Sequence, residues 1–422
     1  MKKKLRVIFV WSLVSLILQF GAYYYLNNQV RKVMAPPTSA KPITRQLKAT
    51  IPGTDLSNVQ VSYAKDYLAY MENGTLKVFN LKTDKVVFEK PSPSPNNKSM
   101  GVLTYQWLPD RNTLLYFYAK ENPNPVTYVK VYPSTPVTQT VTESQTTVPI
   151  QPKTEDPHQS PTEKVVPKVV TKVVPAQPII EKRYGNPQIT ELYSLELPNS
   201  DDSTPPNDRF NQTINRFPAG GKIENLVVST FTNLMYLTVK SQYQEMLLEI
   251  DVMKDVSTIN KIGETVDNIA ASDRYGTLYF DSDMGGYHQI IALAGSRRYV
   301  ISQNNNDRII GVKNGKVYIG EVENNALVKI KTAPDLGQIA SLPSMETEWE
   351  GSIPYNNNIR TLIGSDGQVI IYNDQSAYIE NAGKLTKIQL HGEEDYVSVD
   401  GAELIQLTKE GNSTLAELQP LK

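Results

Sequence analysis

Short apolar runs of strand length, separated by turn residues, follow one another along most of the chain. The first group consists of Tyr67–Met71, Leu76–Leu81 and Val86–Glu89, with turns at Asn73-Gly74 and Thr83-Asp84. Runs of this length between Gly, Asn and Asp are typical of antiparallel strands joined by tight turns. No segment keeps the apolar period of about 3.6 residues that marks an amphipathic helix. The pattern therefore predicts few helices beyond the N-terminus.

Similar groups return with a spacing of about 40 residues, which is the period of propeller blades with four strands each. The later groups are Val102–Ala119 with Ile189–Leu197, Leu226–Ile250, Ile269–Ile301, Ile309–Ile330, Arg360–Leu390 and Val397–Leu418. One small sheet cannot bury both of its faces, whereas a closed ring of sheets buries them and hides most strand edges. We therefore expect an all-β propeller over residues 59–420, with about seven four-stranded blades and with six or eight as alternatives.

The best-defined repeat is Ala270–Leu293. Its parts are a turn at Ser272–Gly276, a strand at Thr277–Phe280, a polar hairpin at Asp281–Tyr287 and a return strand at Gln289–Leu293. This order resembles a blade of the TolB-like and WD40-like propellers, in which a Ser-Pro-Asp-Gly-type turn leads into an apolar strand. The Pro is missing here, and two other copies keep less of the pattern: Trp107–Tyr118 and Ser62–Met71. The resemblance implies a propeller fold and leaves the function open.

Val7–Leu26 is an uncharged, mainly apolar run, long enough to cross a hydrocarbon core of roughly 30 Å as a helix. Four basic residues precede it within residues 1–6, Tyr23–Tyr25 lie at its far end, and only Arg31 and Lys32 follow closely. This arrangement predicts a single-pass anchor with a cytoplasmic N-terminus and an extracytoplasmic C-terminal domain. The expected anchor residues are Val7, Trp11, Leu16, Phe20 and Leu26. The alternative is a cleaved signal peptide, although no A-x-A pattern follows the apolar run.

Two segments interrupt or precede the repeats. Residues 27–58 contain Pro36, Pro37 and Pro42, and are interpreted as an extended stalk. Pro133–Pro187 is rich in Pro, Thr, Val and Lys, and contains KVVP-KVVT-KVVP from Lys164. Prolines at this density interrupt strand ladders and favour polyproline II, so the sequence predicts a disordered or extended insertion within one blade. It is either a tolerated surface loop or a docking arm for a cell-wall polymer or partner, including addition as an edge strand.

Composition narrows the class of protein. The 422 residues carry a formal net charge of -1, so no global field attracts the chain to nucleic acid. The absence of cysteine excludes disulfides, thiolate metal sites and cysteine nucleophiles. A chain exported without cysteine avoids mispairing in an oxidising space, which favours a bacterial cell-envelope protein.

Motifs for catalysis and metal binding are sparse. Ser62–Lys65 matches S-x-x-K, but it precedes a predicted strand and has no K-T-G partner, so we interpret it as a chance match. His158, His288 and His391 lack a second histidine at metal-ligand spacing. Asp281 and Asp283 resemble the start of a calcium loop, yet the twelfth position is Ala292, which excludes an EF-hand. A looser calcium-binding turn at these two residues and an ordinary hairpin both stay open.

Two carboxylate-rich runs and a few ring-bearing residues complete the candidates. Paired carboxylates at a suitable separation hydrolyse glycosides, although acidic runs are more often solvated faces. The runs are Glu346, Glu348, Glu350 and Glu393, Glu394, Asp395. Weak candidates for contact with a ligand or partner are Trp349, Tyr287 and His288.

The sequence thus predicts a membrane-anchored propeller outside the cytoplasm, which acts as a non-catalytic binding or scaffold module. The expected partners are a protein, a peptide or a cell-wall glycan; no cofactor and no nucleic acid are expected. One alternative is an envelope hydrolase with its site in the propeller mouth. A second is an accessory subunit of a membrane sensory or assembly complex.

Overall fold

The computed structural model describes most of the chain from residue 46 to residue 421. The described residues are 46–94, 97, 99–131, 137–143, 168–174, 178–198, 204–229, 231–242, 244–251, 255–337, 344–356, 358–421, and helical residues at 15, 16, 18–21, 23 and 25. Of the expected anchor residues, Leu16 and Phe20 are helical and exposed, whereas Val7, Trp11 and Leu26 lie outside the described residues. Within the described part, none of the helices combines the length and the apolar character that crossing a bilayer requires.

Strands account for nearly all regular structure in the described residues. In chain order they are β1 (Leu47–Pro52), β2 (Ser57–Val61), β3 (Tyr67–Glu72), β4 (Thr75–Asn80), β5 (Lys85–Lys90), β6 (Gly101–Trp107), β7 (Thr113–Glu121), β8 (Val126–Val131), β9 (Val137–Glu143), β10 (Lys168–Val174), β11 (Ile179–Tyr184), β12 (Gln188–Glu196), β13 (Asn207–Thr213), β14 (Lys222–Ser229), β15 (Leu234–Lys240), β16 (Glu245–Ile250), β17 (Val256–Thr258), β18 (Glu264–Ala271), β19 (Thr277–Met284), β20 (Tyr287–Ala294), β21 (Arg297–Ser302), β22 (Asp307–Lys313), β23 (Lys316–Glu323), β24 (Ala326–Pro334), β25 (Glu346–Pro354), β26 (Arg360–Ile363), β27 (Val369–Tyr372), β28 (Ser376–Asn381), β29 (Lys384–Gln389), β30 (Glu394–Val397), β31 (Glu403–Glu410) and β32 (Ser413–Pro420).

These strands form a propeller of seven four-stranded antiparallel blades. Blade 1 contains β2–β5, blade 2 contains β6, β7, β12 and β13, blades 3 to 6 take β14–β29 in consecutive fours, and blade 7 contains β30, β31, β32 and β1. An apolar cluster lies between each pair of neighbouring blades, including blade 7 and blade 1, so the ring is closed. The predicted all-β fold with about seven blades is confirmed.

Burial on both faces of each blade explains the apolar runs in the sequence. In β3, Leu68 and Tyr70 pack into the cluster shared with blade 7, whereas Tyr67 and Ala69 pack into the cluster shared with blade 2. Side chains alternate between the two faces of a strand, so a strand covered on both faces needs apolar residues at consecutive positions. The sequence Tyr67–Tyr70 therefore reads as a continuous apolar run.

The ring is closed by the first strand of the chain. β1 pairs antiparallel with β32 and forms the outermost strand of blade 7. Because β1 and β2 begin at Leu47 and Ser57, the domain starts earlier than expected, within the range 27–58 that the sequence assigned to the stalk. In β1 the buried residues are Ala49 and Ile51. This alternation is short and follows a proline-rich segment, which explains why it gave a weak signal.

Antiparallel pairing fixes which turns share an edge of the ring. One edge, here the terminal edge, carries the turns between first and second strands and between third and fourth strands, together with the start of β1 and the end of β32. The opposite edge, here the insertion edge, carries the turns between second and third strands and the connections between blades. The chain leaves blade 2 from the insertion edge after Glu121 and returns at Gln188, and these two residues pair.

The insertion forms a separate compact unit, Asn122–Pro187, with two pairs of antiparallel strands. β8 pairs with β11, and β9 pairs with β10. β9, β10 and β11 thus lie in the segment that the sequence predicted to be a disordered or extended insertion. The prolines lie outside these strands: β10 begins directly after Pro167 and ends directly before Pro175. Between them, Val and Thr favour extended backbone.

Candidate functional site

Asp281 lies in β19 and is fully buried between blades 4 and 5. Its carboxylate accepts hydrogen bonds from the Asn268 side-chain amide and from the backbone N–H of Ile309, each at 2.8 Å. Burial disfavours the charged form and raises the pKa of Asp281 to about 7, even though these donors and the nearby Arg308 lower it. Asp281 thus ties two blades together.

His288 is also buried, and its ring contacts polar groups on both sides. Nδ1 lies 3.2 Å from Oδ2 of Asp283, and Nε2 lies 2.7 Å from the backbone oxygen of Asp307. Arg308 places Nη1 3.0 Å from the same Nε2 atom. Both ring nitrogens of His288 are therefore already in contact with protein groups.

The sequence-predicted binding and metal residues do not form one site. Tyr287 is 73% exposed beside the buried His288, whereas Trp349 is 7% exposed and packs between blades 5 and 6. The carboxylates of Asp281 and Asp283 each have protein partners already, so a cation would have to displace these contacts. In the described residues, no group of three or more His, Asp or Glu side chains is arranged to hold a metal ion.

The S-x-x-K residues have structural partners. Ser62 Oγ accepts a hydrogen bond from the backbone N–H of Tyr67 at 3.2 Å. Lys65 Nζ lies 2.9 and 2.8 Å from the two carboxylate oxygens of Asp400 in blade 7. Burial tends to raise the pKa of Asp400, but the Lys65 ammonium and the Ser398 hydroxyl outweigh it and hold that pKa below its ordinary value. The motif therefore supplies an ion pair across the closure of the ring.

The two acidic runs lie on different blades. Glu346, Glu348 and Glu350 belong to β25, the outermost strand of blade 5, where Glu350 lies 3.5 Å from Lys329. Glu394 and Asp395 begin β30, the innermost strand of blade 7. Burial raises the pKa of Asp395, and this effect outweighs the hydrogen bonds that lower it. The fold does not combine the two runs into a carboxylate pair.

A cleft that the sequence analysis did not single out lies between blades 6 and 7 at the terminal edge. Its volume is about 470 Å³, within the range of small-molecule and peptide sites. The walls are two turns of blade 6, at Ser365–Gly367 and Asn381–Lys384, and the end of β32. The lining residues are Ser365, Asp366, Gln368, Ile379, Asn381, Lys384, Thr386, Ala402, Pro420 and Leu421.

The cleft differs from the polar networks described above because its polar side chains are available. Among the described residues, the side chains of Asp366, Asn381 and Lys384 have no hydrogen-bond or ion-pair partner. Buried Ile379 and Leu421 form an apolar floor. The cleft therefore offers one negative group, one positive group, neutral amide and hydroxyl groups, and an apolar base, a combination suited to a peptide segment.

Close backbone packing fixes the inner end of this cleft. Gly401 has φ +70, and a Cβ atom on it would lie 2.6 Å from the Cα atom of Gly364. Only glycine permits this approach of the two turns. Ser365-Asp366-Gly367 resembles the turn quoted above at Ser272–Gly276, so a sequence signal existed, but it marks a turn in several blades and does not distinguish this cleft.

Comparison with known proteins finds similarity only to solved structures. No protein-family model matches this chain, and no curated protein matches it. Solved structures that match include the β-propeller domain of Cps50 (Swd1) from Myceliophteria thermophila, at a TM-score of 0.45 and 11% identity, covering 88% of this chain and 99% of that one. The Dos1 propeller matches at a TM-score of 0.42 and 9% identity, covering 88% and 82%. TolB from Acinetobacter baumannii matches at 0.36 and 9%, covering 86% and 79%. The observed ring of seven four-stranded blades confirms the predicted resemblance to TolB-like and WD40-like propellers at the level of fold only.

Proposed function

We propose that this protein is a non-catalytic binding or scaffold module that takes a peptide segment of its partner into the cleft between blades 6 and 7. The proposal rests on one difference between two sets of polar side chains: one set already has hydrogen-bond or ion-pair partners, and the other set has none. Ser62 and Lys65 of the S-x-x-K match, and the ligand-contact candidate His288, are held by structural contacts. The uncommitted polar groups instead surround a cleft, where Asp366 suits a cationic group of a peptide and Lys384 suits an anionic one.

We further propose that the domain is held at the outer side of a cell membrane by the helix at Val7–Leu26. The support is the uncharged run itself, the basic residues before it and the tyrosines after it. The terminal edge, which bears the cleft, is also the edge at which β1 begins. An anchored domain would therefore present its cleft on the side where the tether joins.

Site-specific crosslinking tests the binding role. A photo-crosslinking amino acid at Thr386 lies in the cleft, and one at Thr83 lies in the matching turn of blade 1 as a control. We expect a crosslinked partner at Thr386 and not at Thr83, and its loss in the double variant Asp366→Asn/Lys384→Gln. Equal crosslinking at both positions, or a product unaffected by the double variant, contradicts the assignment. Turnover of p-nitrophenyl glycosides or peptide amides by the purified chain would instead establish a hydrolase.

Cysteine labelling tests the location, because the natural chain contains no cysteine. In intact cells, a membrane-impermeant maleimide is expected to label Tyr287→Cys, whose side chain is exposed. Lys3→Cys, placed before the expected anchor, is expected to react only after permeabilisation. The reverse result would place the propeller in the cytoplasm and exclude the proposed topology.

A further inference from the structure

The strand pair β8 and β11 of the insertion, here called the ribbon, has two chemically different faces. Directly opposed residues of an antiparallel pair lie on the same face, and neighbouring pairs alternate between faces. By the observed register, one face, here the basic face, comprises Val126, Tyr128, Lys130, Ile180, Lys182 and Tyr184. The other, here the neutral face, comprises Thr127, Val129, Val131, Ile179, Glu181 and Arg183.

The basic face exposes large apolar and aromatic side chains. Tyr128 is 69% exposed, Tyr184 is 76% exposed and Ile180 is 64% exposed. In the propeller, by contrast, most tyrosines and isoleucines of the strands are buried between blades. Two aromatic rings exposed on one face of a two-stranded ribbon are available for contact with another molecule.

The charges of the ribbon are segregated between its faces. Lys130 and Lys182 lie on the basic face, which carries no carboxylate, and Lys182 Nζ lies 4.8 Å from the centre of the Tyr184 ring. On the neutral face, Arg183 pairs with Glu181 at 3.2 Å and the two charges cancel. The whole chain has a net charge of only -1, so this positive face is a local feature.

We propose that the basic face of the ribbon binds an anionic sugar polymer, whose charge comes from phosphate or carboxylate groups. Lys130 and Lys182 pair with the anionic groups, and Tyr128 and Tyr184 stack on sugar rings. Neighbouring rows of one face are about 7 Å apart along the strands, so the lysines meet successive charges of one chain. This inference deepens the proposed binding function by naming a partner class at a surface separate from the cleft.

The chemistry favours a repeating polymer over a single small anion. Both lysines are exposed, and a single exposed ion pair contributes only about 0–1 kcal/mol. Several weak contacts along one flexible chain add up because each bound unit raises the effective concentration of the next. The binding should therefore weaken steeply as salt rises, since exposed charges are screened over a Debye length of about 8–10 Å.

The test uses the full chain in detergent micelles and four immobilised probes. These are polygalacturonate for carboxylate, phosphomannan for phosphate, neutral dextran, and single-stranded DNA. We expect the chain to bind one or both anionic polysaccharides, to ignore dextran, and to bind DNA more weakly. Binding to only one of the two polysaccharides identifies the source of the charge. Equal binding to dextran, or binding to DNA at least as tight as to both polysaccharides, overturns the proposal.

Matched variants locate the surface. Lys130→Gln/Lys182→Gln is expected to weaken binding at least tenfold, and Tyr128→Ala/Tyr184→Ala at least threefold. Lys130→Arg/Lys182→Arg keeps the charge and is expected to restore binding, which separates a loss of charge from a loss of ribbon structure. Two controls are expected to change binding less than twofold: Glu181→Gln/Arg183→Gln on the neutral face, and Lys85→Gln/Lys222→Gln, which removes the same charge from the propeller.

Two results would contradict the assignment to the basic face: an equal loss in the Lys85/Lys222 control, or full binding by Lys130→Gln/Lys182→Gln. The outcome is independent of the cleft. If crosslinking at Thr386 persists while polymer binding fails, the ribbon inference alone is wrong. If the polymer binds while the cleft captures no partner, the proposed role of the cleft is wrong and that of the ribbon stands.

Discussion

Removal of the Lys65 ammonium is expected to destabilise the closure of the ring. Lys65 is 1% exposed and forms both of its short contacts, at 2.8 and 2.9 Å, with Asp400. In Lys65→Ala the Asp400 carboxylate, whose side chain is 16% exposed, stays largely buried and loses its counter-charge. Breaking one side of a buried pair costs about 3–5 kcal/mol, chiefly because the remaining charge is left without compensation.

The expected change is large enough to measure by thermal unfolding. An unfolding entropy of about 2.1 cal/mol/K per residue, over roughly 300 propeller residues, gives about 0.6 kcal/mol/K, so the melting temperature should fall by about 5–8 °C. Arg111→Ala is the matched control, because Arg111 lies in the corresponding turn of blade 2 and pairs with Asp110 at an exposed site. Exposed pairs contribute about 0–1 kcal/mol, so this control should shift the melting temperature by about 2 °C or less.

The pH dependence separates charge from packing. In the natural chain the pKa of Asp400 is held low, so the pair stabilises the fold at neutral pH and its contribution is lost only in strong acid. Without Lys65, burial raises the pKa of Asp400, and protonation relieves the penalty as pH falls. The deficit of Lys65→Ala should thus shrink between pH 7.5 and pH 4.5, and Asp400→Asn should rescue it in part. A deficit that is constant with pH, or a shift below about 1 °C, would refute this reasoning.

Three further perturbations give measurable results. Because burial raises the pKa of Asp281 to about 7, the fold should lose stability as pH rises from about 4 to 7. Urea unfolding at pH 5 and pH 8 should show this loss, and Asp281→Asn should reduce it. An unchanged pH dependence in Asp281→Asn would exclude Asp281 as its source. Trp349→Ala should lower the free energy of unfolding by about 3–5 kcal/mol without affecting crosslinking at Thr386, whereas a loss of crosslinking with normal stability would make Trp349 a binding residue. Replacement of Asn122–Pro187 by Asn-Gly would join the paired residues Glu121 and Gln188 by a two-residue turn. The melting temperature should stay equal or rise, since the shorter loop costs up to about 3 kcal/mol less to close. A lower melting temperature would show that the insertion stabilises the propeller.

The fold was predictable because burial on both faces leaves a regular trace in the sequence. Runs such as Tyr67–Tyr70 recur at blade spacing, and turns such as Asn73-Gly74 separate them. The strand β1 was not predicted because its partner β32 lies far away in the sequence, and pairing over such a distance has no local sequence signal. The strands of the insertion were not predicted individually because the many prolines around them pointed to irregular structure.

The candidate site was less predictable than the fold. His288 and Trp349 are residue types that often bind ligands, yet their positions in β20 and β25 bury them between blades. The cleft depends on two turns of blade 6 and on the end of β32, which come together only through ring closure. Asp366 and Lys384 become candidate binding residues only through that arrangement, which a single sequence does not reveal.

The use of the first strand in the last blade sets the order in which the protein can be completed. The Thr414 hydroxyl donates to the backbone oxygen of Gly53 across 361 positions of sequence. During synthesis, β1 is made long before β32 and has no strand partner until the strands of all seven blades have been made. Contacts of such long range slow folding and leave an apolar strand edge open in the meantime. A chain truncated within blade 7 would contain six complete blades and an unpaired β1, and this unpaired strand would be accessible to proteases.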